Sequence, residues 1–329
     1  MAHHYADAQA PCILLVKTTS LGDVLHNLPV VSDIVCHHPG AQIDWMVEEG
    51  FAALPKLHPS VRNTIPVAVR RWRKTLFNPQ TWYEIRALRS TLSWEHYDLC
   101  IDTQGLFKSA LLMRSANGLR CGFNRASARE AIAASMYQHT YPVAKGQHAV
   151  ERNRQLVAQV LGYSLDGPAD FGIKLPHIEK PEWLPDGDYA TLLHATSRDD
   201  KLWDEPSWVK LGHALHDKGL RCILPWGSET EKQRSLRLAA QIPDAITPPR
   251  LSLDQAAVLL GKARAAVGVD TGLAHLAAAV DVPTVGIYTA TDPTLTGLYA
   301  GQRTINLGNI GQSPDVNAVL DALRRMGAC

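Results

Sequence analysis

Short apolar runs recur along this chain, each followed by a segment with helical spacing. Residues 12–17 (CILLVK) form an unbroken run of this kind. Such a run is a strand buried on both faces. Residues 23–37 follow it and place Val24, Leu28, Val31, Ile34 and Val35 on one helical face. Strands separated by helices of this length cannot be hairpin partners. They pair in parallel through right-handed crossovers. The spacing predicts further strands at 43–47, 64–69, 99–102 and 120–123, with helices at 49–57, 81–92 and 106–115. The fold class is therefore α/β.

The pattern then stops and restarts. Residues 165–188 hold Gly167, Pro168, Gly172, Pro176, Pro181, Pro185 and Gly187, the composition of a linker. Beyond it, strands are predicted at 189–194, 221–224, 265–269 and 284–288. Helices are predicted at 206–218, 229–241, 253–263, 273–280 and 315–326. A chain of 329 residues suits two domains. We place them at 1–168 and 169–329, with the closing helix free to pack back on the first. Ligands of open parallel sheets sit at the carboxyl ends of the strands. That selects the loops 18–23, 102–108, 194–203, 225–231 and 270–275.

Charge refines this picture. The net charge is +1, but residues 1–165 carry 17 Lys and Arg against 12 Asp and Glu, whereas residues 166–329 carry 16 against 20. An excess this small does not suggest nucleic-acid binding. It does suggest an anionic partner for the first half, where Arg70, Arg71, Arg73 and Lys74 cluster. No apolar run reaches the roughly 18 residues of a membrane span. The start, MAHHYADAQAP, lacks the basic and apolar regions of a signal peptide and reads as a short leader. The six cysteines form no CxxC, so a reducing cytoplasm is expected.

Missing motifs prune the chemistry. There is no G-x-G-x-x-G, Walker A lysine loop, H-E-x-x-H or G-x-S-x-G. Asp186-Gly187-Asp188 resembles a metal-holding Asp-x-Asp but lies in the linker, where Asp-Gly is turn chemistry. No metal is expected.

The loops that remain are informative. Thr18-Thr19-Ser20-Leu21-Gly22-Asp23 follows the first strand and opens a helix. Asp23 reads either as a helix cap or as a carboxylate able to take a proton from a hydroxyl. In the second half, Asp270-Thr271-Gly272-Leu273-Ala274-His275 follows a buried strand, and a helix start there offers unpaired N–H groups to a phosphate. Thr196, Ser197 and Lys201 follow the domain's first strand and add two hydroxyls and an ammonium. A carboxylate of the loop 225–231, which holds Glu229 and Glu231, is either an exposed first-turn glutamate or a holder of ribose hydroxyls. Together these residues suggest a nucleoside diphosphate site.

The stretches ILLVKTTSLGDVLHNLP, DWMVEEGFA, IPVAVRRWRK, IDTQGLFKSAL, QHAVERNRQLVAQVLGY, HATSRDDKLW, LPWGS and VDTGLAHLAAA occur in this order over most of the chain. In them the chain resembles the bacterial lipopolysaccharide heptosyltransferases of glycosyltransferase family 9, and within these the group that adds the first heptose. The resemblance implies a GT-B fold, two Rossmann-like domains facing a central cleft. It implies inverting transfer of L-glycero-D-manno-heptose from ADP-heptose to the inner Kdo of Kdo2-lipid A, on the cytoplasmic face of the inner membrane and without a cofactor. It implies Asp23 as general base and Lys201 as the cation on the leaving group. Thr196, Ser197, Glu231, Asp270, Thr271, Gly272, Leu273 and His275 would complete the donor site. Ser20, Gly22, Arg70, Arg73, Lys74, Gln104 and Lys108 would face the acceptor. Thr19 and Ser197 depart from the family pattern but keep a hydroxyl. Two alternatives stay open, an enzyme that adds a later heptose and a nucleotide-dependent oxidoreductase.

Overall fold

The computed structural model of the chain describes residues 10–299, 301 and 303–329. Most of the expected leader, residues 1–9, lies outside the described residues. Two compact units meet in sequence between Lys174 and Leu175, six residues beyond the expected boundary. The extra residues are held by the first unit. The Lys174 N–H bonds the Leu57 carbonyl at 2.8 Å. Gly172, at φ +58°, packs so closely on His58 that a Cβ there would lie 2.2 Å from the ring.

The first unit contains β1 (Cys12–Val16), α1 (Leu21–Leu25), α2 (Leu28–His37), β2 (Gln42–Glu48), α3 (Ala53–Lys56), β3 (Val61–Val67), α4 (Val69–Trp72), α5 (Pro79–Trp94), β4 (His96–Asp102), α6 (Phe107–Met113), β5 (Asn117–Phe123), β6 (His139–Tyr141) and α7 (Ala149–Leu161). Its strands form one parallel sheet in the order β3-β2-β1-β4-β5-β6, the Rossmann order. Leu14, Val16 and Met46 of the central strands pack with Leu88 and Leu92 of α5.

The helix expected over residues 23–37 is broken at His26 and Asn27, because Pro29 has no N–H for the Leu25 carbonyl. The helix expected at 49–57 is a 3₁₀ turn, Glu49–Phe51, followed by α3. The strand expected at 64–69 ends at Val67, and the first arginines coil into α4.

In this unit β6 and α7 also lie outside the expected strands and helices. α7 buries Val150, Leu156 and Val157, together with Asn153 and Arg154. Arg154 reaches Asp33 of α2 through two bonds of 2.8 and 3.0 Å, with only 3% and 10% of the side chains exposed. Removing one partner of such a pair strands the other charge. We expect Arg154→Ala to cost about 3–5 kcal/mol, and Arg154→Met with Asp33→Leu to recover most of it. Urea denaturation of the three proteins would measure both. Equal stability of the single variant and the wild type would show that the pair holds nothing together.

The second unit contains β7 (Tyr189–Leu193), α8 (Glu205–His216), β8 (Arg221–Ile223), α9 (Glu229–Ala239), α10 (Leu253–Gly261), β9 (Ala265–Val269), α11 (Gly272–Ala279), β10 (Thr284–Tyr288), α12 (Pro293–Thr296), β11 (Thr304–Gly308) and α13 (Val316–Arg325). Its sheet is again parallel, in the order β11-β10-β9-β7-β8. The strand order reverses between β7 and β9, as in flavodoxin-like sheets. The closing helix α13 lies on α8, β10 and β11. Its Val316, Val319, Leu320 and Leu323 join Trp203, Trp208 and Leu211 in the core of this unit. Among the described residues no helix is long and apolar enough to cross a membrane.

Candidate active site

In the first sheet the strand order reverses between β1 and β4, so the loops after these strands diverge at a crevice. The two loops are stitched together. The Gln104 carboxamide oxygen accepts the N–H groups of Thr18 and Thr19, both at 3.0 Å. Gln104 is itself buried, held from below by Asp102, which accepts its N–H at 2.8 Å. Expected to face an acceptor, Gln104 instead positions the loop that carries Ser20 and Gly22. Lys108 is half-buried in the first turn of α6.

Asp23 both caps and stands open. Its carboxylate accepts the Ser20 N–H at 2.9 Å, which favours the cap reading. The side chain nevertheless keeps 19% of its surface, and Arg129 lies 3.3 Å away. Burial acts to raise its pKa, but Lys17, Arg129 and the Ser20 N–H outweigh burial and hold the carboxyl below its ordinary 3.8. Lys17 is buried, donates to the Thr103 carbonyl at 2.8 Å, and is pushed down by burial to about 8.

The basic cluster divides. Arg71 is closed between Glu49 at 3.0 Å and Glu84 at 2.9 Å. Arg70, Arg73 and Lys74 are exposed, and among the described residues none of them is in an ion pair. The Arg70 guanidinium lies over the Phe51 ring, 5.3 Å from its centre.

In the second unit the diverging loops are those after β7 and β9. Asp270 ties them together. Its carbonyl accepts the Thr196 hydroxyl at 2.8 Å, and its carboxylate accepts the Lys201 ammonium at 2.7 Å and the Thr291 hydroxyl at 2.8 Å. His275 Nε2 stands 3.8 Å from the other carboxylate oxygen. Burial would raise the Asp270 pKa, but these partners hold it well below the usual carboxylate range. α11 starts at Gly272, and the hydroxyl of its cap residue Thr271 makes no capping bond. The Ala274 N–H turns back to the Thr271 carbonyl at 3.1 Å, which leaves the Gly272 and Leu273 N–H groups as the donors such a helix start can offer an anion. Gly268 in β9 lets the helix approach: a Cβ there would sit 2.8 Å from that of Ala274. Ser197 is exposed beside Thr196.

Glu231 is committed elsewhere. One carboxylate oxygen accepts the N–H groups of Gly227 at 2.6 Å and Ser228 at 3.1 Å, and Ser228 Oγ accepts the Glu231 N–H. This is a capping box, which favours the bland reading and leaves one oxygen for a ribose. Asp186 pairs with exposed Lys180, and Gly187 takes φ +96°, so this Asp-x-Asp is a turn.

Three site residues escaped the sequence reading: Lys17, Arg129 and Thr291. Arg129 follows β5 and Thr291 follows β10, so extending the carboxyl-end rule to every strand would have found both. Lys17 ends the apolar run 12–17 and by sequence alone belongs to a buried strand.

Comparison with known proteins agrees with this geometry. The family model described as glycosyltransferase family 9 (heptosyltransferase) matches residues 85–322. Lipopolysaccharide heptosyltransferase 1 of Pseudomonas aeruginosa is 47% identical over 299 residues, 90% of this chain and 83% of the relative. The structure of E. coli heptosyltransferase WaaC with ADP superposes with a TM-score of 0.89 at 41% identity, covering 96% of this chain and 99% of that one. The same enzyme with ADP-2-deoxy-2-fluoro heptose gives a TM-score of 0.86 at 41% identity, covering 95% and 99%. Two Rossmann-like units, a phosphate-ready helix start and this degree of identity over nearly the whole length lead to one conclusion: the chain belongs to glycosyltransferase family 9 and is a heptosyltransferase of the GT-B fold.

Proposed function

We propose that this heptosyltransferase moves L-glycero-D-manno-heptose from ADP-heptose to the inner Kdo of Kdo2-lipid A, inverting the anomeric centre, in assembly of the lipopolysaccharide inner core. The observation that carries the donor half is the Lys201–Asp270 pair beside the open start of α11. It is a cation and a set of N–H donors held ready for a diphosphate. An E. coli relative solved with an ADP-heptose analogue supports that reading. Thr196, Ser197, Thr271 and Gly272 complete the cradle, with His275 orienting Asp270. As the glycosidic bond to ADP breaks, Lys201 and the α11 dipole take up the charge on the leaving phosphate. No metal forms part of this proposal.

On the acceptor side, Asp23 removes the proton from the attacking Kdo hydroxyl. A carboxylate held below its ordinary pKa is a weak base. Arg129 is half-exposed, and an anionic acceptor that draws it away restores basicity to Asp23. Arg70, Arg73 and Lys74 meet the acceptor carboxylates and phosphates, and the enzyme works peripherally on the cytoplasmic face of the inner membrane. Neither the family model nor the relatives support the oxidoreductase alternative.

The direct test is transfer with ADP-heptose and either Kdo2-lipid A or an already heptosylated core. A mass gain of one heptose on Kdo2-lipid A is expected. Product from the heptosylated core alone would reassign the enzyme to a later step. Arg70→Ala and Arg73→Ala should raise the acceptor KM by about 10–100-fold, since a charge-assisted contact contributes about 1.5–3 kcal/mol. The ADP-heptose KM should move far less. Equal effects on both substrates would remove the cluster from the acceptor site.

A further inference from the structure

We propose that the segment from Arg73 to Arg89 is a bilayer-docking face, in which the loop aromatics enter the interfacial region of an anionic leaflet and the bases of α5 hold its headgroups. Phe77 is fully exposed, and Leu76 and Trp82 are half-exposed. Exposed aromatic and aliphatic side chains grouped in one short stretch mark an interaction surface rather than ordinary scatter. Tryptophan and phenylalanine beside lysine and arginine suit the boundary between headgroups and acyl chains.

Charge names the partner. Residues 70–94 hold six bases (Arg70, Arg71, Arg73, Lys74, Arg86, Arg89) against a single acid, Glu84, in a chain whose net charge is only +1. That acid is turned away: Glu84 is bound to Arg71 and to the Trp72 indole at 2.7 Å. Trp82, Arg86 and Arg89 stand at i, i+4 and i+7 of α5 and so share one exposed stripe. An adjoining face of the helix, about a quarter turn away, buries Leu88 and Leu92 in the core. The side of α5 facing β3 is a different surface. It borders a cavity of about 540 Å³, where Arg71 is taken up by Glu49 and Glu84 and the carboxylates of Asp44 and Glu95 hold Arg62, so among the described residues no free cation faces an anionic headgroup there.

The loop is also built to hold its shape. Asn78 caps α5 by accepting the Gln80 N–H at 2.9 Å. The Thr75 and Thr81 hydroxyls bond each other at 2.8 Å, and the Trp82 indole N–H bonds the Leu76 carbonyl at 2.8 Å. Leu76 and Phe77 are thus presented on a closed turn, so their insertion needs little further ordering. The proposal deepens the acceptor reading above and rests on it for the choice of a membrane as the anionic surface. It places the lipid acceptor and the Arg70, Arg73 and Lys74 cluster at the same level.

The test is co-sedimentation of the full chain with phosphatidylglycerol-containing vesicles and with phosphatidylcholine vesicles, alongside transfer to a deacylated, water-soluble Kdo2 acceptor. Wild type should prefer the anionic vesicles, and added salt should weaken the binding. Leu76→Ser with Phe77→Ser should lower the partition coefficient on the order of tenfold or more. Arg86→Gln and Arg89→Gln should each lower it roughly fivefold on anionic vesicles only. All four substitutions lie outside the proposed acceptor and donor sites, so transfer to the deacylated acceptor should stay at wild-type rate. In a second measurement on an intact fold, phospholipids brominated on the acyl chain should quench wild-type fluorescence more than that of Trp82→Phe.

Unchanged partitioning of the variants, or no vesicle binding by wild type, would overturn the docking face. So would a patch whose loss abolished self-association in ultracentrifugation and left vesicle binding intact, since it would then be an interface between copies. Failure of the acceptor reading looks different: wild type would not modify the deacylated acceptor at all.

Discussion

Asparagine in place of Asp23 is expected to lower kcat by about 10²–10⁴, the usual contribution of a general base. The fold and donor binding should survive. An amide oxygen accepts the Ser20 N–H as the carboxylate does, so the capping box between Ser20 and residue 23 can persist. An amide takes up no proton at neutral pH, so only the chemical step should fail. The pH profile sharpens the test. Lys17 and Arg129 hold the carboxyl below 3.8, so it is ionised throughout the neutral range. Its contribution to stability is fully present above that value and is lost as the pH falls through the lowered folded-state pKa. Arg129→Ala removes a cation and raises that pKa, so the acid limb of kcat/KM, which reports the free enzyme, should move to higher pH. Near-normal turnover by Asp23→Asn would leave the carboxylate as a helix cap and nothing more. Should Asp23→Asn fail to fold, Asp23→Ser, which keeps a capping oxygen, repeats the comparison.

Lys201→Met is expected to lower kcat/KM for ADP-heptose by about 10²–10³, the cost of removing one preorganised group from developing negative charge. The substitution keeps the length of the side chain and removes its charge. Asp270 then keeps Thr291 at 2.8 Å and the nearby His275, so the loops after β7 and β9 should stay joined through the Thr196 bond. The melting temperature should fall somewhat, because a largely buried carboxylate loses its cation. Asp270→Asn separates orientation from charge. It should weaken donor binding or leaving-group departure while leaving Lys201 in place. Binding of ADP and single-turnover transfer, measured on both variants, would distinguish these effects. If Lys201→Met kept its rate within about a factor of ten of wild type, charge on the leaving phosphate would have to be met elsewhere.

The legible part of the molecule was its repeating pattern. Both central strands, β1 and β7, were found because a strand buried on both faces must be apolar along its length. β6 and β11 were missed for the same reason. They lie at sheet edges, one is three residues long, and HTY and TINLG carry no buried run. α7 escaped because its buried face includes Asn153 and Arg154, which read as surface residues until Asp33 and the His26 carbonyl are brought against them. The break at Asn27 follows from Pro29 alone.

The site shows the same division. The positions of Asp23, Lys201 and Asp270 follow from the rule that ligands lie at the carboxyl ends of parallel strands, which needs only the order of strands and helices. Residue type and local spacing therefore determined the α/β class, the two-unit plan and the loops that bear the chemistry. What each side chain does there was settled by residues distant in sequence. Gln104 became a support for Thr18 and Thr19, Glu231 a capping box, and Arg71 a closed ion pair, whereas Arg129 and Thr291 were added to the site. A short-range pattern reports which way a segment faces. It does not report which partner, 69 residues away for Lys201 and Asp270 or 106 for Asp23 and Arg129, will hold a charge or leave it free.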